Sequence, residues 1–421
     1  MIRHMQERYS PLYFLASLGF GGMSVLFFMN LMHLTPHPNT PMPTFESIAA
    51  TWDSAGIGMS SLIIIAYTGF FLFFGIHLYL LAWNIREFRE WKSTDSYRNT
   101  TTTNAEVTLL AVPLTVGMTV NGFFVMGMIS IPGLWDVIEY LMPVAIILYS
   151  SVGVLALVYL GRYLNRVMHE GFNFKANGGL NQLLSSFAFA MVAVGLAAPA
   201  AMSSVSTTVV IAFGLSMFFT VISLLLFLVF LPMGFMSMLR YGLSLANSAT
   251  LWLSVPIITL WSITALRLRH GISTLAALQP DAATIPGTSI GVFVFLSTMV
   301  LAQLVFLALG HIAMRSNGYY KRFVFSKQEL SPAAFTLVCP GVVLGVLSFF
   351  TLNIGLAKNA IFPAGSLGFT VILIGAYIVQ IATLVLMAAL VRNQLLRSIE
   401  PTNTSAEPSA TPEMAGLSRV Q

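Results

Sequence analysis

Charge is what this sequence has least of. Only 8% of its 421 residues are Asp, Glu, Lys or Arg, whereas a soluble fold carries roughly a quarter. So little charge cannot clothe a surface in water, which excludes an ordinary globular enzyme or binding domain. There is one cysteine, Cys339, so no internal disulfide can form and the redox compartment is left open. Short segments of alternating polarity are missing too, and with them a transmembrane β-barrel.

What the chain has instead is apolar sequence: 57% of it is hydrophobic. Many runs exceed the ~20 residues that cross ~30 Å of hydrocarbon as a helix. In lipid each segment must satisfy its own backbone, so the expected class is all-α, a polytopic membrane bundle. Ten spans are expected, near 11–33, 60–84, 107–131, 137–161, 180–201, 206–239, 246–266, 289–314, 332–355 and 363–391. The first has a basic start, as a signal peptide does. Its apolar run is long, and no A-x-A-like site closes it, so it reads as an uncleaved span. Residues 1–398 form the ten-helix domain. Residues 399–421, polar and rich in Pro, Ser and Thr, are expected to be a disordered tail.

Basic residues punctuate the even spans with one period. Arg86, Arg162, Arg240, Arg315 and Arg392 follow one another at intervals of 76, 78, 75 and 77 residues. Near-constant spacing argues for a helical hairpin used five times. Copies with two spans each point the same way across the membrane, and a pseudo-five-fold ring of hairpins around a central pore is the expectation. With both termini cytoplasmic, seventeen of the twenty Lys and Arg fall on the inner side. Arg267, Arg269 and Lys358 alone fall outside, a strong positive-inside pattern. The net charge of +5 thus reflects topology, and no nucleic-acid partner is expected. A cell membrane, of the bacterial inner-membrane kind, is the expected location.

Ionisable residues inside the membrane are the usual guide to function, and the odd spans have none in their interiors. They offer hydroxyls, amides and prolines: Thr115, Thr119 and Asn121 after Pro113, Ser254 and Thr259 around Pro256, and Thr336 and Cys339 before Pro340. A proline inside a spanning helix frees a carbonyl and predicts a bend. Such helices suit a passage for small ions or polar solutes, although prolines and hydroxyls also serve packing alone. Arg267 and Arg269, at the outer end of the seventh span, either gather anions at a mouth or anchor the helix. His77 and His311 are candidates for haem or metal ligation, against simple bonding to backbone or headgroups. His33, His37, Glu46 and Asp53 share an outer loop but fit no established metal spacing. No catalytic residue, metal or cofactor is expected.

The organisation, with the stretches "AAFTLVCPGVVLGVLSF", "LLAVPLTVGMTVNGFF" and, more weakly, "ANSATLWLSVPIITLW", resembles the tellurite-resistance/dicarboxylate transporter family, to which the plant slow anion channels belong. It also resembles that family's TsoY group, some of whose members carry selenocysteine. The resemblance implies odd helices lining a pore, a phenylalanine plug in the ninth helix, and a homo-oligomer, a trimer. Cys339 stands where the family has that phenylalanine, with Phe335 one turn earlier. The implied gate is therefore Cys339, Phe335, Thr336 and Pro340, with Pro113, Asn121 and Pro256 along the pore. A lone cysteine in an apolar helix is otherwise an inert small hydrophobe. The leading expectation is a multi-pass protein conducting small anions. The alternatives are a membrane redox protein using Cys339 on a sulfur or selenium species, and a haem protein using His77 and His311.

Overall fold

The computed structural model describes residues 4–277, 290–326 and 329–396. The expected tail at 399–421, and Arg3, Lys327, Arg397 and Arg419 of the charge pattern, lie outside the described residues. Ten helices among the described residues are long and apolar enough to span a membrane: α1 (Pro11–Leu34), α2 (Ile57–Trp91), α3 (Asn104–Ser130), α4 (Leu134–Glu170), α5 (Leu183–Met202), α6 (Ser206–Tyr241), α7 (Ser248–Ala276), α8 (Ile290–Ser316), α9 (Pro332–Ala357) and α10 (Leu367–Leu395). Two of the even helices, α2 and α4, are longer than expected. At 1.5 Å per residue, the 35 residues of α2 reach about 52 Å, well past the hydrocarbon. Both run on beyond Arg86 and Arg162 because nothing there breaks a helix until Lys92 and Gly171.

Each odd helix pairs with the next even one in antiparallel register. In the first hairpin Asn84 donates to the Tyr13 carbonyl at 3.2 Å, while Gly69 leaves room for the Phe27 ring. In the second Arg166 meets Glu106, and in the third Ser216 donates to the Ala193 carbonyl at 2.8 Å. In the fourth the Trp252 indole donates to the Leu307 carbonyl at 3.0 Å. In the fifth Gln394 accepts from the Ser331 amide at 2.8 Å. The odd helices contact one another in chain order, and α9 returns to α1. That last contact is close because glycines line both sides: Gly22 faces Val342, and Gly345 faces Leu26. Small residues let spanning helices approach where no water drives them together.

Burial separates the two sets. In the most apolar stretch of each odd helix, 56–94% of residues are buried, against 17–33% in the even helices. The even helices turn large apolar side chains outward, among them Ile65, Ile147, Leu228, Leu301 and Ile381. An apolar exterior around a more polar interior is the arrangement lipid favours, so the odd helices form the inside and the even ones the coat.

The prolines of the odd helices stand where the helix changes type. In α3, α7 and α9 a 3₁₀ lead-in (Asn104–Leu110, Ser248–Leu253, Pro332–Leu337) passes into α-helix at Ala111, Ser254 and Val338. Pro113, Pro256 and Pro340 each stand third in the α-helical part. The first turn of an α-helix has N–H groups without intrahelical acceptors, so proline there costs no helical hydrogen bond. The residues mark where 3₁₀ gives way to α. Farther along, α9 loosens into a π-helical stretch at Thr351–Ala357.

Candidate functional site

Between the odd helices lies a cavity of about 280 Å³. It starts near mid-depth, at Gly22, Met118, Met191, Thr259 and Val342, and extends away from the end that carries Arg86, Arg162 and Arg240. All five odd helices contribute to its wall, with Tyr149 and Met142 from α4, and Pro41 and Met42 of the α1–α2 connection lie over it. The wall is overwhelmingly apolar. Eight methionines line it: Met29, Met32, Met42, Met118, Met128, Met142, Met191 and Met202. Among the described residues its polar groups are Asn121, Tyr149, Thr259, Arg267 and His270, and no carboxylate faces it.

Arg267 gives the cavity its charge. Arg267 is half-buried, and Nη1 donates to the Val194 carbonyl of α5 at 2.8 Å. Among the described residues no Asp or Glu pairs with it. The neighbouring ionisable group is the Tyr149 phenol, whose ring lies flat against α5 where Gly195 has no side chain. Partly desolvating a guanidinium with no carboxylate beside it among the described residues is costly, and a carboxylate or other anion is the group whose hydrogen bonds offset that cost. Asn121 makes no hydrogen bond within the described protein, so its amide is free to meet a ligand in the same space. Two acidic groups at this end of the bundle are engaged elsewhere. Glu139 holds Ser203 and Ser204, and Glu46 accepts from the Gly133 amide at 2.6 Å.

Of the residues singled out from the sequence, Arg267 and Asn121 come together at this cavity. Arg267 is part of the cavity wall between the odd helices, while Arg269, two residues on, does not line it. The residues around Cys339 lie at another level. Phe335, Thr336 and Cys339 are all buried in the packed core below the cavity floor. Phe335 meets the Tyr13 ring at 6.3 Å, and the Thr336 hydroxyl donates to the Ala333 carbonyl at 2.6 Å. Val342 and Val343, three and four residues beyond Cys339 and so on the same face of α9, form the floor itself. Pro113 and Pro256 occupy corresponding positions in α3 and α7, outside the cavity lining.

The histidines fall into separate hydrogen-bonded sets. His77 is fully buried, with Nδ1 2.8 Å from the Ser17 carbonyl and Nε2 2.9 Å from Thr119 Oγ1. Both ring nitrogens are thus taken by α1 and α3, leaving neither for a metal. His311 contacts the Tyr320 hydroxyl at 3.1 Å on an exposed face. His33 stacks on Phe349, and His37 bonds the Thr35 carbonyl. Among the described residues no cluster of three or more His, Cys, Asp or Glu is placed to hold a metal.

Sequence reading missed Tyr149 and the methionine wall. Tyr149 lies on an even helix, where exposure to lipid is the rule. Its only signal would have been Gly195 opposite, a pairing invisible before the register is known. No protein-family model, curated protein or solved structure matches the chain.

Proposed function

We propose that this is a membrane transport protein that passes small anions between its odd helices, with the arginine-rich end cytoplasmic. The observation that carries the reading is Arg267, a cation with no carboxylate partner among the described residues, facing a cavity inside a membrane-spanning bundle. Such a charge attracts anions and repels cations, and low-dielectric walls strengthen both effects. The cavity supplies the outer half of a path. The inner half is closed by the packing of Tyr13, Phe335, Cys339 and their neighbours, so Cys339 and Phe335 stand where a gate must open. The resemblance to the tellurite-resistance/dicarboxylate transporter family supports the same assignment. A redox role for Cys339 gains nothing from its surroundings: the thiol is packed among apolar side chains, away from the cavity. The purified protein in liposomes under a nitrate or chloride gradient should carry protein-dependent anion flux and no flux of large cations. Absence of anion movement at every voltage and pH tried would end the transport reading.

A further inference from the structure

Resting on that reading, we infer that the cavity selects a monovalent organic anion with an apolar body, of the class of short-chain monocarboxylates, over halides and dicarboxylates. The charge count comes first. Arg267 is the one full charge on the wall among the described residues, so it compensates one negative charge. A second carboxylate would be stripped of water with no second full charge on the wall among the described residues to meet it, a heavy penalty. Donor geometry comes next. A guanidinium has five N–H groups, and among the described residues one is used, on the Val194 carbonyl. The rest suffice for a two-pronged carboxylate contact, and Asn121 adds a free amide across the cavity.

The wall decides the remainder. A halide beside Arg267 would give up its hydration and leave the surfaces of Met118, Met191 and Val346 uncovered. An alkyl chain covers them, and each methylene so buried tightens binding roughly fourfold. Methionine is unbranched and flexible, so such a wall moulds itself to chains of different length and branching.

Binding should be measured on the full chain in lipid nanodiscs, with empty nanodiscs subtracted, using acetate, butyrate, hexanoate, succinate and chloride. Affinity should rise roughly fourfold per methylene from acetate until the chain outgrows the cavity. Succinate should bind at least about tenfold more weakly than butyrate, and chloride should compete poorly. Arg267→Gln should abolish butyrate binding. Val346→Thr keeps the side-chain shape and adds a hydroxyl. It should weaken hexanoate several-fold while leaving acetate nearly unchanged, which keeps the test valid even where Arg267→Gln fails to fold. Affinity independent of chain length, succinate as tight as butyrate, or chloride displacing butyrate at equal concentration would each overturn the inference. Nitrate flux without any monocarboxylate binding would also overturn it while leaving the transport reading intact. Arg267-dependent carboxylate binding without anion flux would leave the site standing and remove the transport reading.

Discussion

Gly195→Ala tests the contact that places Tyr149 beside Arg267. A Cβ built on Gly195 would lie 2.1 Å from Tyr149 Cε1 and 2.3 Å from both Cδ1 and Cζ, distances no real pair of carbons adopts. Tyr149 is 4% exposed, so the ring can withdraw only into the cavity it lines, leaving its place beside Arg267. Overpacking of this kind costs about 1–3 kcal/mol, and overlap with three ring carbons belongs at the upper end. Against this, alanine favours a helix over glycine by about 0.5–1 kcal/mol. The net expectation is a loss of about 2 kcal/mol. In a Tyr149→Ala background the obstacle is gone and only the helical preference remains. There the same change should stabilise by about 0.5–1 kcal/mol, a coupling of about 3 kcal/mol between the two sites. Unfolding free energies from SDS titration in mixed micelles, for the parent, both single variants and the double variant, give the cycle directly. If Gly195→Ala costs the same in both backgrounds, the ring does not lie against α5 and the geometry around Arg267 is wrong.

Three further outcomes follow from other parts of the fold. Arg166 and Glu106 form a buried pair at 2.8 Å with side-chain exposures of 12% and 8%, so Arg166→Leu should cost about 3–5 kcal/mol in the same titration, and Arg166→Met with Glu106→Leu should recover most of it; an equal cost for the double variant would refute the pairing. The Gly133 amide, with the Thr44 hydroxyl and Glu46's own amide, holds the Glu46 carboxyl below its ordinary value near 4.5. That link is therefore present above the ordinary range and lost as pH falls through the depressed value. Exchange protection of the Gly133 amide, corrected for intrinsic rate, should persist at pH 4.5 and disappear in more acid solution, and Glu46→Gln should remove it at every pH. Cys339, packed beneath the cavity floor, should resist a charged methanethiosulfonate reagent in the resting protein and react on denaturation. Rapid native labelling would show that the inner half of the path is open.

The fold was largely legible in the sequence because lipid imposes so few choices. Run length fixed the number of helices, and the arginine period made the hairpins visible. The odd-inside, even-outside division appears in the sequence only faintly, since both sets are apolar; it emerged from which helices contact each other. The setting of the prolines was not legible, for a definite reason. Pro113, Pro256 and Pro340 look interior when a span is counted from its first apolar residue. Each belongs to the first α-helical turn once the 3₁₀ lead-in is recognised. The site was half legible. Arg267 stood out by breaking the charge asymmetry, and Asn121 by being an amide in an apolar run. That they share one cavity depends on the alignment of α3 with α7 across α5, which no local pattern encodes. Tyr149 was illegible because its role depends on the absence of a side chain at Gly195.

The central claim, that Arg267 gives an inner passage its preference for anions, is tested most directly by one flux comparison. Liposomes containing the parent protein or Arg267→Gln, at matched protein content and confirmed fold, are placed under an opposed gradient of a monovalent anion and a monovalent cation. The parent should pass the anion and exclude the cation, and Arg267→Gln should lose at least about tenfold of the anion rate, the effect of removing roughly 1.4 kcal/mol or more of favourable interaction. Equal anion flux in the two proteins, or a parent that passes the cation as readily, would contradict the account.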